Sequence, residues 1–415
     1  MSMDAQEFGR RVAYWRDRRR MTQETFGRLM GQSRRWAQDV ERGERQRDPN
    51  LSVVERAARV LQVDVGVFLS TAPAVKCLDS FELDVIRRTL QRHDVITGAV
   101  EDDGTDPLPV TVLHGRLDHA RSAFQAGHFA SLGRLVPELL VDTNRAAARH
   151  QHEDQLEAFR LLSFTLELIE GAAIKYGDTD LALVSGHRAV TAAERSEDPV
   201  NMASAARHLA DAMTMHGQPH AAAEFAISAA ARLGPHLRTR GEDGTSVLGM
   251  LYLKAAMAQA TAAALDDKRA AAAARAVPDL LDQADQHADE LGFDGNSLWT
   301  AFGPTNSKLY RVAAHVQLSA GADAVAVAHA IPNPRRAALP KERRAHLLTD
   351  LAHGLTQAGR RVEAVDALLD AEQEAEEEVR CRPRTRQLVD DLRLLGAGSA
   401  EGRLRALAAR CGLPT

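Results

Sequence analysis

Apolar residues recur at helical spacing along most of the chain, and no convincing period-two strand pattern interrupts them. Phe8, Val12 and Trp15 fall at i, i+4 and i+7, one stripe of a first helix. Thr22 is placed to cap a second helix whose inner face is Phe26, Leu29 and Met30. Gly31 supplies a turn, Ser33 caps a third helix with Ala37 and Val40 facing inward, and Gly43 ends it. Leu51, Val54, Ala57, Ala58 and Leu61 make a fourth helix, and Val65, Phe68 and Leu69 a short fifth. STAPAV at 71–76 has linker composition; a helix is predicted over 79–98, followed by the acidic, proline-containing loop EDDGTDPLP at 101–109. Residues 71–107 therefore read as a connector.

Beyond residue 108 the pattern becomes helix, small-residue turn, helix, repeated. Turns are predicted at Gly127, Gly177, Gly217, Gly321 and Gly359, spaced by 50, 40, 104 and 38 residues, with a further break at Leu265–Lys268 inside the long gap. Alanine-rich helices follow the glycines, as in HAAAEFAISAAARL at 220–233 and EAVDALLDAEQEA at 363–375. A last helix is expected over 400–411. Each helical pair leaves an apolar face that only a stacked neighbour can cover. The fold class is all-α, in keeping with a composition rich in Ala, Leu, Arg, Glu and Gln and only 4% aromatic.

Charge divides the chain. Residues 1–70 hold fourteen arginines, no lysine and ten acidic residues, a balance of +4, so the formal net charge of −5 leaves −9 on the remainder. Only the head is suited to a polyanion. The third helix concentrates the candidates. Arg34 and Arg35, at its start, point away from Ala37 and Val40, as do Gln38 and Asp39. A helix fits the major groove with its N-terminal residues at base edges, and arginine grips guanine through two acceptors. Arg34 and Arg35 are thus read as base readers, with Gln38 or Asp39 one turn further in. Arg45 and Arg47 follow the helix as phosphate contacts, which position without specifying. Trp36 is either core or pressed against the DNA backbone.

Residues 8–69 resemble the Cro/phage-repressor (Xre-like, lambda-repressor-like) helix-turn-helix domain, through T-Q-E at 22–24, the Gly31–Ser33 turn, V-E-R-G at 40–43 and ERAARVLQVDVGVFL at 55–69. The resemblance places Gln23 at the DNA backbone and site edge, with Ser33 as an additional backbone contact. The array at 108–415 resembles a tetratricopeptide-type (TPR) solenoid, although its period of 40–50 exceeds the usual ~34. Joined to such a head, and with LWTAFGPTNSKLYR at 298–311 and the long helical stretch from Pro340, it resembles the large regulators of actinomycete-type bacteria. That combination implies a double-stranded DNA operator, a homodimer, and a peptide or small-molecule effector bound in the body. Trp299, Phe302, Asn306 and Tyr310 cluster around the Gly303–Pro304 break as candidate effector contacts. The alternative is a TPR scaffold that recruits a protein partner, with DNA binding secondary.

Other chemistry finds no support. No P-loop, nucleophile elbow or paired-carboxylate motif is present, so no catalytic residue, cofactor or metal is expected. His150 and His152 lack a third ligand at metal-binding spacing. Cys77, Cys381 and Cys411 are read as reduced structural thiols. Without an apolar leader or a membrane-length apolar run, the protein is expected in the cytoplasm.

Overall fold

The computed structural model describes residues 5–19, 21–45, 51–63, 65–69, 80–97, 106–265 and 268–413, and among these every regular element is helical. The chain forms two compact units, Met1–Phe81 and Glu82–Thr415.

The first unit packs five helices: α1 (Ala5–Arg18), α2 (Gln23–Leu29), α3 (Arg34–Glu41), α4 (Leu51–Leu61) and α5 (Gly66–Leu69). Its core joins Phe8, Val12 and Trp15 of α1 to Phe26, Met30, Trp36, Val40, Leu61 and Phe68. Trp36 is 6% exposed and stacks on Phe26 with ring centroids 6.3 Å apart, so it belongs to the core and not to a DNA-facing surface. Leu29, read as an inner-face residue, is instead 48% exposed. Helix α2 is only two turns long, and Phe26 and Met30 already fill its inward stripe. The arginines that end α1 clasp neighbours. Arg16 donates to the Met21 carbonyl, Arg19 to the carbonyls of Leu61 and Gln62, and Arg18 lies 4.9 Å over the Trp15 ring.

The predicted connector helix is interrupted, giving α6 (Ser80–Leu90) and α7 (Asp94–Thr97). The second unit continues with α8 (Val110–Gln125), α9 (Leu132–Arg149), α10 (His152–Tyr176), α11 (Thr179–Arg195), α12 (Pro199–Met215), α13 (Pro219–Leu237), α14 (Gly241–Ala263) and α15 (Ala270–Leu291). After a non-helical stretch come α16 (Pro304–Gln317), α17 (Gly321–His329), α18 (Asn333–Ala338), α19 (Lys341–Gln357), α20 (Arg361–Glu374), α21 (Glu376–Arg380), α22 (Pro383–Leu395) and α23 (Glu401–Arg410). Successive helices pack on one another, and several also reach the next but one. Helices of 17 to 25 residues from α10 to α14 account for the long period, since pairs begin at His152, Pro199 and Gly241. Gly127, Gly177, Gly217 and Gly359 take left-handed backbone as expected of turns. Gly321 does not. It opens α17 where a Cβ would sit 2.5 Å from the Gly354 carbonyl oxygen, so its smallness serves a close helix approach.

The array curls back on itself, so that its early helices meet α19 and α21. The Ala130 amide donates to Glu377 at 2.8 Å, and Tyr176 donates to the same carboxylate at 3.2 Å. Between them, the ammonium of Lys175 is held by Glu342 and by both oxygens of Glu378 at 3.0 and 2.8 Å. Lys175 is 167 residues from the first partner and 203 from the second. Cys411 is a buried free thiol, and Cys77 lies outside the described residues. No described helix is long and apolar enough to cross a membrane.

Candidate nucleic-acid interface and interior cavity

Helices α2 and α3 are set by two side-chain caps and one turn. Thr22 accepts from the Thr25 amide at 3.1 Å, and Ser33 accepts from the Trp36 amide at 3.2 Å. Each satisfies an amide that the helix start leaves without a partner. Gly31 joins the helices at φ +69°, a conformation that carries a penalty for any residue with a Cβ. Ser33 is therefore committed to capping through its hydroxyl oxygen while remaining exposed.

A chain of polar contacts then fixes the angle between the helices. Glu41 accepts from Arg16 of α1 and, at 2.8 Å, from the amide of Gln23 of α2. The Gln23 carbonyl oxygen accepts from Gln38 of α3 at 3.2 Å. Gln23 and Gln38 are brought side by side in this way. Asp39 faces Arg45 at 3.4 Å, and Arg45 remains half-exposed. Arg34 and Arg35 differ from all of these. Both are exposed, and neither makes a hydrogen bond or ion pair among the described residues. Two free guanidinium groups thus stand at the N-terminal end of a helix braced by α1 and α2. Arg47 lies outside the described residues.

This arrangement of braced helix, tight turn and exposed arginines agrees with a family comparison: residues 7–67 match the family model described as a helix-turn-helix domain. The N-terminal unit is a helix-turn-helix domain. No curated protein matches the chain. The match ends at residue 67 and does not extend into the helical array.

Inside the array, α8, α10, α12, α14, α16, α19 and α22 border a cavity of about 190 Å³. Its apolar wall includes Phe124, Ile174, Met215, Met257, Trp299 and Leu309. Seven arginines and lysines line it against four carboxylates, Glu170, Asp211, Glu342 and Asp350. Five of the cations are paired. Arg121 meets Glu167 at 3.2 Å and lies 5.0 Å over the Trp299 ring; Lys254 meets Asp211 at 2.5 Å; Arg343 meets Glu342 at 3.1 Å. Lys175 bonds Glu342 and Glu378, and Arg382 bonds Glu378. Arg207 and Arg384 have neither a hydrogen bond nor an ion pair among the described residues. Arg207 is only 4% exposed, and its Nε lacks any partner.

Burial governs the titration of this cluster. It pushes the Glu170 carboxyl well up, with Asp211 adding to the effect. It pushes His208 well down, helped by Arg207 and Arg121. These two groups touch, His208 Nδ1 to Glu170 Oε2 at 2.5 Å, so both shifts favour a neutral pair sharing a proton. Burial likewise drives Arg121 down to about 10. Glu342 behaves oppositely: burial would raise it, but Arg343 and Lys175 hold it well below the ordinary value. Glu342, His346 and Glu378 bring possible metal ligands within 4.8 Å of one another. The Lys175 ammonium already bridges the two carboxylates of that group, so the protein supplies its own cation there.

Trp299 and Tyr310 are on the cavity wall. Phe302 and Asn306 are not. Phe302 is fully buried with its ring against Gly249, where a Cβ would lie 2.0 Å from the ring, and Asn306 is buried with its amide directed at the Thr300 carbonyl. The cationic and carboxylate lining was not singled out from the sequence. The signal available was the embedding of Glu167 and Glu170 in LLSFTLELIEGAA, where both carboxylates interrupt an otherwise apolar helix.

Proposed function

We propose that this protein is a sequence-specific, DNA-binding transcription regulator whose helical array senses an effector. The observation that carries the reading is the pair Arg34 and Arg35: exposed, unpartnered, and set at the start of the second helix of a helix-turn-helix domain. Helices placed in this way enter the major groove, and guanine offers arginine two acceptors there. Gln38 is the further candidate reader, held in register by Gln23. Gln23, Ser33, Arg45 and Arg47 position the domain on the backbone. Asp39 orients Arg45. The resemblance of residues 108–415 to a TPR-type solenoid supports a sensing and dimerising body, with two heads on half-sites about one helical turn apart. The interior cavity supports an effector site that includes Trp299 and Tyr310. We assign the chain no catalytic step and no cofactor.

An operator selected from random duplexes tests the reading by gel shift. The full-length protein should retain a defined motif, and Arg34→Ala and Arg35→Ala should each weaken that motif far more than unrelated DNA. Equal binding of selected and random duplexes would overturn it.

A further inference from the structure

A buried arginine with no counter-ion is costly, because desolvation must be offset by pairing. Arg207 lines the cavity from α12 with no direct hydrogen bond or ion pair among the described residues, although the charges of Glu167 and Glu170 act on it from a distance. Glu167 is already taken by Arg121 and by the Ser204 hydroxyl at 3.0 Å. Glu170 is engaged by His208. Arg384, on the far side of the sequence, lines the same cavity and is also without a direct partner. The array as a whole carries an acidic balance, so this cationic interior is local and opposite in sign to its surroundings. Beside the free guanidinium groups lie Ile174, Met215, Met257 and Leu309, surface that no charged solute alone would use. The volume of about 190 Å³ is below the ~300–1,000 Å³ of most ligand sites, which leaves room for a small molecule and not for a peptide of several residues.

We propose that the cavity binds a small amphipathic anion, a carboxylate or phosphate monoester, with its charged head on Arg207 and its apolar part against the Met257–Leu309 wall. The inference rests on the sensing role proposed above only in calling this molecule an effector; occupancy of the cavity is a separate property, measured without DNA. Arginine matches either oxyanion through a fork of parallel donors, so the head group is specified by charge and geometry and the tail by shape.

The test uses the full-length protein and four probes with the same eight-carbon tail: octanoate, octyl phosphate, octan-1-ol and octylamine. Binding is read by calorimetry and by the emission of Trp299, scored against the Trp299→Phe variant. At least one anion should bind about tenfold or more tightly than octan-1-ol, as charge-assisted hydrogen bonds require, and octylamine should bind most weakly. Which of the two anions binds better distinguishes a carboxylate from a phosphate effector. Arg207→Gln should remove the preference over octan-1-ol, and Arg207→Lys should restore part of it. The exposed Arg232→Gln should leave it unchanged. Should Arg207→Gln fail to fold, the wild-type ranking still decides, and Arg384→Gln should reduce the same preference. Equal binding of octanoate, octyl phosphate and octan-1-ol, or no binding of any probe, overturns the proposal. Loss of operator recognition in the DNA assay would instead refute the regulator reading and leave this result standing.

Discussion

Lys175 ties α10 to α19 and α21, and its replacement by methionine should loosen that closure. The ammonium sits among Glu342, Glu378 and the Phe129 ring, whose centroid is 5.6 Å away, and its side chain is 8% exposed. Methionine has a similar length and no charge. Breaking a buried ion pair from one side costs about 3–5 kcal/mol, because the abandoned charge stays desolvated. Here each carboxylate keeps one cation, Glu342 with Arg343 and Glu378 with Arg382, so the lower figure of about 3 kcal/mol applies. The unit Glu82–Thr415 is 334 residues long. At about 2.1 cal/mol/K of unfolding entropy per residue, its total is about 0.7 kcal/mol/K, and the expected drop in Tm is about 4 °C. Differential scanning calorimetry of the full chain measures it. The drop should persist in ~1 M salt, since buried pairs are poorly screened. A shift under about 1 °C would show that the pairs across the closure are energetically neutral and that apolar packing alone shapes the cavity.

Other outcomes follow from single contacts. Gly249→Ala would drive a methyl into the Phe302 ring and should destabilise the array by about 1–3 kcal/mol in urea unfolding. Trp36→Ala should cost the helix-turn-helix domain about 3–5 kcal/mol and abolish DNA binding through loss of the fold, visible as a lost helical signal for that unit. Acidification supplies a third check. His346 is pushed well below the usual histidine range by burial, with Arg382 and Lys175 adding to it. A depressed folded pKa gives stability that is present above the unfolded value, about 6.5, and is lost as the pH falls through the folded one. Tm should therefore decline from pH 7 toward pH 5, and His346→Gln should flatten the decline. Below about 4.5, Glu342 should add a further loss, since its folded value is also depressed.

The five helices of the head were legible because local signals coincide there. Thr22 and Ser33 are capping residues ahead of short amphipathic runs, Gly31 permits the turn, and Val12, Phe26, Val40 and Leu61 keep helical spacing into one core. Trp36 was left open because its size, read alone, fits either a core or a backbone contact; only the stack on Phe26 decides it. In the array the helices were legible and their closure was not. No periodicity reveals that Lys175 and Glu378 meet across 203 residues. The cavity was hidden for a related reason. Charged residues on Ala-rich helices read as solvated faces, yet Arg121, Arg207 and Glu342 point inward, where packing of sequence-distant helices makes their neighbourhood. Of the aromatic cluster around Gly303, the sequence could group Trp299, Phe302 and Tyr310 but could not say that Gly249 draws Phe302 away from the cavity.

The central claim is that α3 reads base edges through Arg34 and Arg35. Its most direct test is the affinity of wild-type and Arg34→Ala/Arg35→Ala protein for a selected operator and for random duplex, at fixed salt. Both side chains are exposed and unpartnered, so the double substitution should change stability by no more than about 0.5 kcal/mol. Each bidentate arginine–guanine pair accounts for about 1–3 kcal/mol of discrimination, so operator affinity should fall about a hundredfold or more while random-duplex affinity falls much less. A folded double variant that still prefers its operator by the wild-type ratio would contradict the account.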